Sequence, residues 1–371
     1  MKKKIVLICI AAVIVLIVLI GLFNRQSNNK VRIAINLPLT GPVAAITGNY
    51  PKGLKMGIDE ACKEYSLDSS SIEVIIDDNK ASPAESASVY RRQTMKRINA
   101  FISGTTEAAT VILPQTDGQD GASNFLIAFD AFLTKGGKQR FRLFPSFKTE
   151  SEMWVSYITK IKPKRVATLT LNIPATEEQF STIICPFIAK TGAEIFRERF
   201  DFSTTDFRTI ALRIKENKPD VVLVSGYSFH LNVAIKALQE LTVVPNEKIM
   251  CSMDFCDFLA EKRSKKALAG IAFAAPNFIV NSGNPQVREW IQRFEKRYGI
   301  APTYTEAYAY DLGYLFVRSL HSSGDIRPSS LLKATPFDGV TGTVKFDADR
   351  DSACSLSLVK INSSEMIEAV K

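Results

Sequence analysis

A chain of 371 residues is too long for one ordinary domain and sufficient for two. Hydrophobic residues make up 46% and charged residues 23%, proportions that exclude a disordered chain. The formal net charge is +9, yet the basic residues are scattered among acids, as in Lys63-Glu64 and Glu295-Lys296-Arg297, which argues for a solvated surface and no nucleic-acid partner.

Lys2, Lys3 and Lys4 precede an uncharged apolar run from Ile5 to Phe23. Its 19 residues make a helix of about 28 Å, enough to cross a hydrocarbon core. The lysines ahead of it predict a cytoplasmic N-terminus and an exported body. The alternative is a cleaved signal peptide, but the run exceeds the usual ~7–15 residues and no Ala-x-Ala site precedes Asn24. Residues 1–23 therefore read as a transmembrane anchor or signal, with the anchor favoured, and 24–30 as a polar linker.

After the linker, β-rich runs alternate with amphipathic segments. Val31–Leu37 reads as a strand, and Leu54, Ile58, Ala61, Cys62 and Tyr65 share one helix face. Ile72–Ile76 is a second strand; Ser82-Pro83-Ala84-Glu85 opens a helix with a serine cap and a first-turn proline. Short strands follow at 100–102 and 125–129. A second βαβ run starts near Arg165: a strand over 166–171, a helix over about 176–190, and a strand over about 194–199. Asp206 caps a helix, and the apolar Val221–Ser225 has the pattern of a buried parallel strand. Strands near Ile249 and over 271–275, an aromatic-faced helix around Trp290, a helix over about 303–321 and a small β-like tail from Gly342 to Ile361 complete the chain. The predicted fold class is α/β: two doubly wound parallel sheets joined by a hinge, with a ligand cleft at the strand C-termini. Lobe 1 is assigned to 31–146 with a return segment of about 280–334, and lobe 2 to 147–279 with about 335–371.

Enzymatic signatures are lacking. The two histidines, His230 and His321, stand in no recognisable catalytic or metal-binding setting, and no phosphate-binding glycine loop follows a strand, so no cofactor is expected. Of the six cysteines, five lie beyond Cys9 without the spacing of a disulfide framework; Cys251-x4-Cys256 fits no tetrahedral metal template.

Pro38-Leu39-Thr40-Gly41-Pro42-Val43-Ala44, followed by Gly53 and Asp59-Glu60, resembles the type I periplasmic binding proteins, in particular the leucine/isoleucine/valine-binding proteins of ABC transporters. The resemblance continues through Asp77-Asp78, Asp206-Phe207, Lys218-Pro219-Asp220, Ser225-Gly226-Tyr227, Tyr298-Gly299-x-x-Pro302, Ala307-Tyr308-x-Tyr310-Asp311 and Phe337-Asp338-Gly339-Val340-Thr341-Gly342. It covers about 31–360. It implies a hinged pair of lobes that closes on one small amino acid or amide and presents it to ABC permease subunits, with the membrane reached through the N-terminal helix and no bond made or broken.

The resemblance also implies a ligand site. The family holds the ligand carboxylate with hydroxyls and N–H groups after the third strand, which here places Thr105 and Thr106, while the expected serine is Glu107. An acid there repels an anion unless it turns away; otherwise Glu107 serves a helix N-terminus. Phe129, with Asp130 and Phe132, stands where the family has small cleft-lining residues, unless both phenylalanines pack within the lobe, and Ile46 stands where relatives carry a tyrosine, or in the core. Tyr227 matches a ligand-contacting position, or caps a strand end; Asp254 lies near the family's acidic partner for an ammonium group. These departures predict weak binding of plain leucine, isoleucine and valine, and better binding of a neutral amide or a cationic amine. A sensory ectodomain and a degenerate binding protein with a structural role are the competing functions.

Overall fold

The computed structural model describes residues 30–117, 121–260, 264–352 and 354–370. Ile5–Phe23 lies outside them; among the described residues no helix is long and apolar enough to cross a membrane.

The first sheet holds β1 (Val31–Leu37), β2 (Ile72–Asp78), β3 (Ala100–Gly104), β4 (Ser123–Ile127) and β5 (Arg140–Phe141). All pair in parallel, in the order β2-β1-β3-β4-β5. Every residue of β3 and β4 is buried, as parallel strands covered on both faces require. Helix α1 (Tyr50–Glu64) follows β1, and α2 (Pro83–Thr94) follows β2, capped by Ser82, whose Oγ accepts the Glu85 N–H at 3.3 Å. After β3 comes α3 (Thr106–Thr110), a helix of only five residues.

Helix α4 (Phe147–Ile161) leads into β6 (Arg165–Leu171). The predicted helix over about 176–190 begins as α5 (Pro174–Gln179), widens into a π turn at Phe180–Ile184 and resumes at Cys185–Lys190. Pro186 explains the widening: it has no N–H and its ring presses on the preceding turn, and the Cys185 N–H reaches back to the Phe180 carbonyl instead. Next come β7 (Glu194–Phe200), β8 (Val221–Ser225), α6 (Ser228–Glu240), β9 (Ile249–Cys251) and β10 (Ala272–Pro276). The Asp220 carboxylate accepts the N–H groups of Lys164 and Arg165 at 2.8 Å each, aligning the starts of β6 and β8.

The chain then returns to the first sheet through α7 (Pro285–Tyr298) and α8 (Tyr304–Ser323). Helix α8 packs on α1 through glycines: a Cβ at Gly57 would lie 2.1 Å from the Tyr310 carbonyl oxygen, and one at Gly53 2.2 Å from that of Glu306. A separate hairpin, β11 (Phe337–Gly339) and β12 (Gly342–Val344), precedes β13 (Leu356–Ile361) and β14 (Ile367–Ala369).

The second sheet has the order β14-β13-β10-β9-β8-β6-β7. Its fully parallel character, expected from sequence, is corrected: β13 runs antiparallel to β10, and β14 antiparallel to β13. The short turn between β13 and β14 is the physical reason for the latter, because a parallel pair needs a long crossover. The predicted tail from Gly342 to Ile361 therefore holds β12, one strand of a detached hairpin, and β13, which lies in the large sheet between β10 and the edge strand β14.

Two segments joining the sheets lie side by side. The Arg142 N–H donates to the Arg350 carbonyl at 3.1 Å, and the Ser352 N–H to the Arg142 carbonyl at 2.9 Å. The buried Arg142 guanidinium pairs with Asp351 at 2.8 Å and donates to the carbonyls of Ala128 and Pro145.

Candidate ligand-binding cleft

In the first sheet the strand order reverses between β1 and β3, and in the second β7-β6-β8-β9-β10 repeats the same 2-1-3-4-5 order, reversing between β6 and β8. At such a reversal the loops at the strand C-termini diverge and open a crevice. The two crevices face one another across a single cavity. Val43, Ile46 and Thr47 border it after β1, Thr105, Thr106 and Glu107 after β3, and Phe129 after β4. Across from them lie Ile173, Tyr227, Ser252 and Asp254, beyond β6, β8 and β9. The seven residues singled out from sequence thus border one space.

The loop after β1 is held by Asp78, which accepts the Leu39 N–H at 2.9 Å and the Thr40 hydroxyl at 2.5 Å. Asn79 donates to the carbonyls of Asn36 and Gly104, at 3.0 and 2.7 Å, tying the ends of β1 and β3 together. Ile46 is 7% exposed, so it belongs to the core and to the cavity wall at once.

Beyond β3 the Thr105 hydroxyl donates to Oε2 of Glu107 at 3.1 Å, so its proton already has an acceptor. Thr106 Oγ1 accepts the Phe129 N–H at 3.3 Å. Glu107 Oε1 is shielded from solvent and has no hydrogen-bond partner among the described residues. Phe129 stacks on Phe147, with centroids 5.0 Å apart, and meets Phe144 edge-on at 5.3 Å. Asp130 and Phe132 sit elsewhere: Asp130 Oδ1 accepts the Phe132 N–H at 2.8 Å, and the Phe132 ring is 65% exposed on a neighbouring groove.

Tyr227 precedes α6 and faces the cavity, its ring stacked with those of Phe229 and His230. Burial pushes its phenol upward, and the charges of Glu107 and Asp254 add to the effect. Asp254 sits on the 3-10 turn Met253–Cys256, and its Oδ1 has no partner among the described residues. Burial first, then the charges of Asp257 and Glu150, raise its carboxyl well above the ordinary range.

Sequence reasoning missed Glu150. It lies in the first turn of α4, where the Ser146/Thr149 capping box was a legible helix start, but nothing local marks the acid as buried. Its Oε1 accepts the Met253 N–H at 2.7 Å and its Oε2 the Gln179 amide at 2.9 Å. Burial raises its carboxyl as well. The histidines have structural places: His230 Nε2 bonds the Phe202 carbonyl at 2.9 Å, and His321 stacks on Tyr65 at 4.6 Å.

The sequence profile of the family described as periplasmic binding protein matches residues 30–364. The chain belongs to this family. Among curated proteins, a Leu/Ile/Val-binding protein, BraC3, of Rhizobium johnstonii is 22% identical over 222 residues, 59% of this chain and 60% of that relative's length. Among solved structures, this periplasmic binding protein superposes on the branched-chain amino acid transporter substrate-binding protein LivJ of Streptococcus pneumoniae, in complex with isoleucine. The TM-score is 0.78 at 22% identity, covering 92% of this chain and 99% of that one. An ABC transporter solute-binding protein of Rhodopseudomonas palustris, in complex with 3,4-dihydroxybenzoic acid, gives 0.76 at 20% identity, covering 92% and 96%. At these identities the structural likeness speaks for the fold.

Proposed function

We propose that this periplasmic binding protein is the extracytoplasmic receptor of an ABC-type transporter, and that it captures a small solute of the amino-acid or amide class and delivers it to a permease. The observation that carries this reading is a cavity bordered from both sheets at both strand-order reversals. A solute held there touches two bodies at once, so its full set of contacts exists only when they are shut. Binding then shifts an open–closed equilibrium, and a permease distinguishes the two shapes. The paired segments around Arg142 and Arg350 supply the flexing connection.

The apolar run from Ile5 to Phe23, in this reading, tethers the body to the membrane. A bound solute should compact the protein in solution X-ray scattering and be recovered chemically unchanged. Turnover of the solute would overturn the receptor reading. Full-length protein should stay with membranes after high-salt and carbonate washing; a soluble product beginning near Asn24 would overturn the tether alone.

A further inference from the structure

Three carboxyl groups border the cleft, those of Glu107, Glu150 and Asp254, and among the described residues no lysine, arginine or histidine does. Glu150 is fully engaged by Met253 and Gln179. The other two each keep one solvent-shielded oxygen with no hydrogen-bond partner among the described residues, Oε1 of Glu107 and Oδ1 of Asp254. Asp254 is only 7% exposed, so water does not serve that oxygen freely. The two acids come from opposite sheets, and Tyr227 lies where both charges act on its phenol.

A buried carboxylate without a partner is costly and is ordinarily paired or protonated. Acids that line a cavity holding no base call for an occupant that brings protons and positive charge. We propose that the cleft takes a small organic cation, an amine set between Glu107 and Asp254 on a molecule that carries no free carboxylate; this rests on the receptor reading above.

The positions that would greet a carboxylate support the second half of that statement. The Thr105 hydroxyl proton is directed to Glu107 and is not free for an incoming anion. An added anion would enter a cavity lined by three acids and, among the described residues, by no base. The rest of the wall, from Ile127, Phe129, Phe144, Phe147 and Ile173, is apolar and suits an alkyl or aryl body. Aromatic faces close to the amine would add to the attraction for a cation.

Four probes with the same branched alkyl body separate the contributions: 3-methylbutylamine, leucinamide, leucine and 4-methylpentanoate. Calorimetry on the full-length chain in detergent should show the amine and leucinamide binding at least tenfold more tightly than leucine, with no binding of the acid. Glu107→Gln and Asp254→Asn should each weaken 3-methylbutylamine at least tenfold, without lowering the melting temperature of the empty protein. Should the buried Asp254→Asn variant fail to fold, Glu107→Gln decides the matter. Leucine or 4-methylpentanoate binding as tightly as the amine would overturn the cation inference and leave the receptor reading standing. If neither these four nor the twenty standard amino acids and their amides stabilise or compact the protein, both readings fall.

Discussion

Oε1 of Glu150 accepts the N–H of Met253 at 2.7 Å, although 103 residues of sequence separate the two. The bond runs from the first turn of α4 to the turn that carries Asp254, so one cleft acid positions another. Glu150→Ala would strand the Met253 N–H and the Gln179 amide in the interior. A loss of about 2–4 kcal/mol is expected, read from the urea midpoint at constant slope. Glu150→Gln, which keeps one oxygen for Met253, should lose less than half as much; equal losses would count against this geometry.

The motif around Tyr310-Asp311 and 337–342, prominent in the sequence, serves architecture. Asp311 is buried on α8 and accepts the N–H groups of Val340 and Thr341 at 2.9 Å each, together with the Thr341 hydroxyl. Asp311→Ala should therefore cost about 2–4 kcal/mol of stability. Amine affinity, measured below the unfolding transition, should change less than about threefold, within the range of sites that do not couple. A large affinity loss at unchanged stability would place Asp311 in the binding machinery instead.

Gly57 tests the packing of α1 on α8. Its absent Cβ would sit 2.1 Å from the backbone oxygen of Tyr310, which belongs to a helix and cannot swing aside. Gly57→Ala should destabilise by at least about 2 kcal/mol through overpacking. Gly283→Ala, at an exposed site where an added Cβ meets nothing within 4 Å, should stay within about 0.5 kcal/mol. Thermal unfolding of the pair checks the contrast.

Amine binding should depend on pH through Asp254. In the empty cleft its carboxyl is raised by burial and by Asp257 and Glu150; Cys256 and Tyr304 also lie in its field, as does Tyr227. A cation beside it favours the anion and lowers that value, so the occupied protein binds fewer protons than the empty one. Affinity therefore rises with pH through the raised range of the empty carboxyl and falls as the carboxyl protonates. The alkyl amine keeps its charge below about pH 10 and contributes no slope of its own. Calorimetry between pH 5 and 8 should show tightening toward pH 8 that disappears in Asp254→Asn; a profile unchanged by that substitution would exclude Asp254 as its source.

Much of the architecture was legible before folding because it rests on local periodicity. Val221–Ser225 reads as a buried strand from its unbroken apolar run, and Ser82-Pro83-Ala84-Glu85 as a helix start from its cap and first-turn proline. Thr105, Glu107, Tyr227 and Asp254 are named through the family resemblance, and all four border the cavity. What the chain's order alone did not reveal is pairing at a distance. The antiparallel run of β13 beside β10 and the engagement of Glu150 by Met253 and Gln179 depend on which distant segments meet once the second sheet and its helices assemble. A carboxylate on a helix start looks the same in sequence whether water or a protein interior surrounds it. Burial, a property of the assembled fold, decides its charge and its partner.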